Sequence, residues 1–190
     1  MFTKVVSFFT KEIEIPIVFK RSFLIIFFSY LTFCGALIKI YLPGTPVPFT
    51  LQNLMLFISI YYLNSKEVGL SQALYILAGY IGLPVFATGL TGMTAFIGPT
   101  AGYLLGFIIA GMFISYIYNK YNNRKSQRKF FGIFFIFMFG AFLILLFGTL
   151  HLAFIYGIGL EKAIAIGFLP FLITDTLKVI IASALYKVLK

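Results

Sequence analysis

The sequence predicts an all-α membrane protein that crosses the bilayer six times, on two observations. Of its 190 residues 61% are hydrophobic and only 11% charged, with a mean hydropathy of +1.03. A soluble domain of this size carries roughly a quarter charged residues. In addition, residues 68–119 and 130–160 contain no Asp, Glu, Lys or Arg. Each stretch exceeds the roughly 20 residues that one helix needs to cross, and the first has room for two crossings. The runs are continuously apolar rather than alternating, which argues against a transmembrane β-barrel.

Breaking these runs at proline, glycine and charge clusters places the spans at about 22–42, 48–63, 69–87, 97–118, 130–156 and 163–187. Residues 1–21 precede this single membrane domain, 22–190, as a cytoplasmic segment in which apolar residues alternate with Lys4, Lys11, Glu12 and Glu14. An interfacial helix ending near Pro16 and a frayed tail are both open readings. The first span runs into Leu42-Pro43-Gly44 without a small-residue cleavage pattern, so it reads as a retained helix rather than a signal peptide.

Residues 43–48, Pro-Gly-Thr-Pro-Val-Pro, are too stiff and too poor in backbone donors to be helical. They lead into Thr50, Gln52 and Asn53 at the entrance of the second span, where polar groups are unfavourable against lipid and instead face a polar cavity or neighbouring backbone. The third span sets Ser71, Tyr75, Gly79 and Gly82 along one side, with Gln72 adjacent, and ends at Gly82-Leu83-Pro84. The uncharged loop 87–93 suits either closure over a site or plain connection. On the fourth span Gly98, Gly102, Gly106 and Ala110 recur every four residues, a ridge for close helix packing. Thr100 and Tyr103 put polar groups near its outer end. Tyr75 serves equally well as an interface anchor.

The net charge of +10 reads as topology rather than as a nucleic-acid footprint. Lys4, Lys11, Lys20 and Arg21 precede the first span, Lys66 follows the second, Lys120, Arg124, Lys125, Arg128 and Lys129 separate the fourth and fifth, and Lys187 and Lys190 close the chain. With both termini cytoplasmic, all of these lie inside, as the positive-inside rule prefers, and the opposite side keeps only Lys162 and Lys39. The protein is therefore expected in the cytoplasmic membrane, in contact with lipid and not with nucleic acid.

The chemistry-bearing residues are few. Cys34 is the single cysteine and His151 the single histidine, so neither a disulfide framework nor a thiolate metal site is predicted. Neither a Gly-x-Ser-x-Gly elbow, a His-Glu-x-x-His pair nor a Gly-x-x-x-x-Gly-Lys-Ser/Thr loop occurs. No catalytic residue, metal or cofactor is assigned, and any ATP-driven step needs another chain. The exception to bland filler is Asp175 and Lys178, opposite charges three residues apart inside the sixth span. An ionisable group at the bilayer centre costs at least ~2.5 to 3.5 kcal/mol, so such groups face a cavity, pair with one another or hold a solute. Residues three apart share a helix face, which Ala182 extends with a small side chain. Gly167 and Pro170 just before them suit a kink. Counted from residue 163, Asp175 lies 12 residues into the span, ~18 Å along it.

Four strings occur in order: Pro46-Val-Pro-Phe-Thr-Leu-Gln52, Tyr75-Ile-Leu-Ala-Gly-Tyr-Ile-Gly-Leu-Pro-Val-Phe86, Gly98-Pro-Thr-Ala-Gly-Tyr-Leu-Leu-Gly-Phe107 and Pro170-Phe-Leu-Ile-Thr-Asp-Thr-Leu-Lys178. Together the chain resembles the BioY family of biotin transporters over about residues 29–185. The resemblance implies a six-helix substrate-binding S component of an energy-coupling factor (ECF) transporter that takes up biotin from the outer side. Its implied partners are a transmembrane coupling protein and two ATP-binding-cassette ATPases, although some members are thought to act without them. It further implies that Thr32 and Ala36, small residues four apart on the first span, face the coupling protein. Phe33 stands where the family tends to have a small side chain.

Biotin offers two ureido N–H donors, a ureido carbonyl, an apolar thiophane ring and a carboxylate. Asp175 can accept from the ureido N–H groups, and Lys178 can neutralise the carboxylate or donate to the ureido oxygen. The expected site is an outward-facing pocket polarised by Asp175 and Lys178, with Gln52, Thr50, Thr100, Tyr103 and Tyr75 on its walls. Rival readings are a structural Asp175–Lys178 pair, a pocket for another small vitamin, an intramembrane enzyme using His151 and Asp175, and a channel. A channel would need oligomerisation, because one Asp and one Lys make no selectivity ring.

Overall fold

The computed structural model describes residues 16–122 and 129–189. The segment before Pro16, open to reading as an interfacial helix or a frayed tail, lies outside the described residues, as does most of the basic loop between the fourth and fifth spans. Helix α1 (Ile17–Leu37) is followed by the two short strands β1 (Lys39–Ile40) and β2 (Phe49–Thr50). Then come α2 (Gln52–Ser59), α3 (Ser65–Tyr80), α4 (Gly92–Ile97), α5 (Ala101–Asn122), α6 (Lys129–Phe154), α7 (Leu160–Gly167) and α8 (Leu169–Leu189). Four stretches are long and apolar enough to cross a membrane: α1, α5, α6 and the α7–α8 unit 160–189.

The second and third expected spans are shorter than the sequence suggested. α2 has only 8 residues, ~12 Å of helix. The prolines delay its start, since β2 pairs antiparallel with β1, Lys39 opposite Thr50 and Ile40 opposite Phe49, and closes 43–48 into a hairpin. At its other end Ile60, Tyr61 and Tyr62 each donate three residues back, to the carbonyls of Phe57, Ile58 and Ser59, so the coil tightens and stops. α3 begins four residues earlier than expected because Asn64 and Glu67 form a capping box: the Glu67 N–H donates to Asn64 Oδ1 at 3.1 Å, and the Asn64 N–H to Glu67 Oε2 at 2.9 Å. It has 16 residues and ends before Gly82, whose φ of +104° no β-carbon would favour.

The fourth expected span starts at Ala101 rather than near residue 97, because Gly98-Pro99 separates it from α4, a turn and a half of helix in the connection before it. The sixth breaks between Gly167 and Leu169 for a related reason. Pro170 has no N–H, and Phe171 donates only to Phe168, at 3.1 Å. The Gly167 carbonyl, which Phe171 would cap in a continuous helix, instead accepts from the Tyr103 hydroxyl at 2.6 Å.

The α5–α6 contact is the most extensive in the fold, and the expected glycine ridge makes it. A β-carbon on Gly106 would lie 3.1 Å from the Ile144 Cα, and one on Gly102 would press on the Phe147 carbonyl, so these glycines allow backbone on backbone. Towards the C-terminal end of α8, Tyr61, Tyr118 and Phe137 fill the bundle with ring centroids 5.4 to 6.2 Å apart. The Tyr61 hydroxyl there donates to the Ala182 carbonyl at 2.7 Å. The outer faces are large and apolar, with Phe23, Ile26, Phe27 and Tyr30 exposed on α1 and Phe131, Phe135 and Phe139 on α6. Such surfaces suit acyl chains, a medium as apolar as these side chains.

Candidate functional site

The β1–β2 hairpin, the loop after α3 and parts of α2, α5, α6 and α8 converge on a small cavity. Its charged wall comes from α8, whose buried positions Phe171, Asp175, Lys178, Val179, Ala182 and Ser183 form one stripe at helical spacing. Asp175 and Lys178 are 2% and 4% exposed, and Lys178 Nζ donates to Asp175 Oδ1 at 2.7 Å. The other carboxylate oxygen, Oδ2, accepts from Asn53 Nδ2 at 3.0 Å, across 122 residues of sequence. The Lys178 ammonium also stands 4.3 Å from the centroid of the Phe49 ring, a cation–π contact that fixes its position.

Thr50, Gln52, Asn53, Thr100 and Tyr103 line the same cavity, together with Val47 and Pro48 of the hairpin and Phe86 and Ala87 of the loop. Leu104, Phe107, Leu145 and Phe171 supply its apolar wall. The hairpin and the loop are tied together, because Lys39 Nζ donates to the Ala87 carbonyl at 2.8 Å and the Tyr41 hydroxyl to the same oxygen at 3.3 Å. A cavity walled mostly by aliphatic and aromatic groups, with a few convergent polar atoms and one buried ion pair, is built to hold a small amphipathic solute.

The BioY family model matches residues 9–190. The chain belongs to the BioY family. It is 37% identical over 156 residues to the biotin transporter BioY of Thermotoga maritima, covering 82% of this chain and 87% of that one. It is 33% identical over 142 residues to the biotin transporter BioY2 of Lactococcus lactis subsp. cremoris, covering 75% of each. Its fold matches a crystal structure of the S-component for biotin from an ECF-type ABC transporter, with a TM-score of 0.80, 26% identity and 90% of each chain covered.

Within this BioY-family chain the sequence-predicted residues divide by how their polar atoms are used. Gln52 Oε1 accepts from Thr50 Oγ1 at 3.0 Å and its Nε2 donates to the Tyr75 hydroxyl at 2.7 Å, which in turn donates to the Val85 carbonyl at 3.1 Å. Tyr75 therefore stands behind Gln52 rather than on the cavity wall, and this chain braces the loop that carries Phe86 and Ala87. Tyr103 lines the cavity but donates to Gly167. Asp175, Lys178 and Thr100 also line the cavity, and the bonds of the first two stay within the site, to each other and to Asn53. Asn53 and Phe49 complete the ion pair's surroundings. Asn53 was legible as a polar residue at a span entrance, but nothing local tied it to Asp175.

One expectation needs correcting, and one rival reading loses its geometry. Thr32 and Ala36, expected on a docking face, are 0% and 1% exposed. Thr32 Oγ1 donates to the Phe28 carbonyl at 2.9 Å and accepts from Gln72 Nε2 at 3.2 Å. The small side of α1 packs inward because Gly35 lets it approach the Leu51–Gln52 backbone, where an added β-carbon would sit 2.9 Å away. In this conformation neither residue is open to a partner chain. His151 is buried with Nε2 3.0 Å from the Gly98 carbonyl, and the partners of Asp175 are Lys178 and Asn53. The histidine thus acts as a packing residue that ties α6 to the turn before α5.

Proposed function

We propose that this chain binds biotin in the Asp175–Lys178 cavity and serves as the S component for its uptake across the cytoplasmic membrane. The observation that carries this reading is the buried ion pair on the wall of a largely apolar cavity, in a chain of the BioY family. Burying both charges against apolar packing alone is no more stable than replacing them with hydrocarbon. A solute with donors at one end, an apolar body and an anion at the other gives the pair a use. Biotin has that layout, and the relatives that are named biotin transporters support it.

In this reading both termini are cytoplasmic, the chain crosses six times, and the cavity opens to the outer side beneath the hairpin. The basic residues at 120–129 and at the C-terminus support that orientation. α2 and α3 are then the two shorter crossings, completed by the hairpin and the loop above them. ATP hydrolysis comes from other subunits, a coupling protein and two ATPases, or the chain works alone or as an oligomer.

Purifying the chain in detergent and assaying the sample for bound biotin tests the proposal. Stoichiometric biotin, or tight uptake of labelled biotin by the stripped protein, is the expected result. No retention, with displacement by thiamine or riboflavin instead, would move the assignment to another vitamin.

A further inference from the structure

We infer that Asn53 is a specificity-determining residue that accepts one ureido N–H of the ligand through Oδ1, beside Asp175, which accepts the other. This rests on the biotin reading above and deepens it. Asp175 Oδ1 accepts from Lys178, and its Oδ2 from Asn53 Nδ2 at 3.0 Å. An ionised carboxylate only accepts, so the Asn53 amide must turn its NH₂ to Asp175, which points its Oδ1 the other way. Asn53 is 8% exposed and borders the cavity. Its Oδ1 makes no hydrogen bond to the described residues. Nor is it among the sealed, unpartnered side-chain atoms of the described interior, which are Ser71 Oγ, Gln72 Oε1, Tyr118 OH, Thr149 Oγ1 and Ser183 Oγ.

The neighbouring amide makes the contrast. Gln52 commits its carbonyl to Thr50 and its NH₂ to Tyr75, so it braces the wall. Of two consecutive amides on α2, Asn53 is the one that presents an uncommitted acceptor to the cavity. A cyclic urea has two N–H groups that diverge on either side of its carbonyl and needs two acceptors set apart. Asp175, with each oxygen already holding one bond, serves one, and the Asn53 carbonyl next to it serves the other. A neutral acceptor also suits the charge balance, since Lys178 is the single cation lining the cavity among the described residues.

The test measures affinities of the purified chain for biotin and for the two analogues methylated on one or the other ureido nitrogen, with Asn53→Ala and Asn53→Ser variants alongside wild type. Wild type is expected to discriminate against each analogue by about tenfold or more, the value of one buried hydrogen bond. In both variants biotin affinity should fall by a similar factor while one analogue, methylated on the nitrogen that faces Asn53, binds as it does to wild type, so the discrimination against that analogue alone collapses. An equal loss for biotin and both analogues would mean that Asn53 only positions Asp175, and would overturn the inference. Collapse of the discrimination in Thr100→Val instead of at Asn53 would overturn it too, by assigning the second acceptor to that hydroxyl. Failure of wild type to hold biotin at all would sink the parent reading, a different result from any of these. Asn53→Ser keeps a donor for Asp175, so the comparison survives if the alanine variant does not fold.

Discussion

Lys39 lies at the start of β1 and Ala87 in the loop after α3, and the lysine ammonium donates to the alanine carbonyl at 2.8 Å across 48 residues of chain. Ala87 lines the cavity, so this bond joins two coverings of the site, the hairpin and the loop. Lys39→Met should therefore speed release of bound biotin by roughly tenfold, the size expected for a charge-assisted hydrogen bond. Tyr41→Phe, which removes the longer 3.3 Å bond to the same oxygen, should speed it less. Exchange of labelled for unlabelled biotin on the purified chain measures both rates. Unchanged release in Lys39→Met would show that the two coverings do not open by parting from each other.

The ion pair separates a binding role from mere neutralisation. Lys178→Ala leaves Asp175 with Asn53 as its remaining partner, and breaking a buried pair this way costs about 3–5 kcal/mol. Thermal unfolding in detergent should register that loss, and biotin binding should disappear. Replacing both at once, Asp175→Leu with Lys178→Leu, should recover most of the stability and none of the binding. Recovery of both would mean that the charges only neutralise each other.

Gln52→Leu removes a brace rather than a ligand contact. Thr50 loses its acceptor and Tyr75 a donor, deep in the fold, and an unsatisfied buried group costs ~1 to 3 kcal/mol. The unfolding temperature should fall, and biotin affinity should fall with it by less than in Asp175→Asn. A variant as stable as wild type but without affinity would return Gln52 to the list of direct contacts.

His151→Ala tests the enzymatic rival. The imidazole pairs with the Gly98 carbonyl, so its loss should lower stability modestly, on the order of 1 kcal/mol. Biotin uptake by cells carrying the variant should stay near wild type. Loss of uptake with full stability would give the histidine a role beyond packing.

Much of the fold was readable because its signals are local. Pro43, Pro46 and Pro48 deny the chain helical geometry wherever it folds, and the hairpin appears where they are. Pro170 withholds an N–H, and the sixth span breaks beside it. Asp175 and Lys178 share a face because helical periodicity places residues three apart together. The ridge of Gly102 and Gly106 was correctly read as a packing surface. The extents of the second and third spans were misjudged because apolar run length says nothing of the tight turn at residues 60–62 or of the capping box from Asn64 to Glu67, although that box was visible as a motif.

By itself the sequence determined that the chain lives in a membrane, that its last span carries two opposite charges on one helix face, and, through four ordered strings, which family to expect. Tertiary structure alone decided what that pair meets: Asn53 from 122 residues away, the Phe49 ring above Lys178, and a Gln52 whose amide is spent on Thr50 and Tyr75. It also turned Thr32 and Ala36 inward. The reason is physical. A transmembrane helix that is apolar on every side has no strong hydrophobic face to declare which way it points, so its rotation is set by neighbours brought close through glycine and hydrogen bonds.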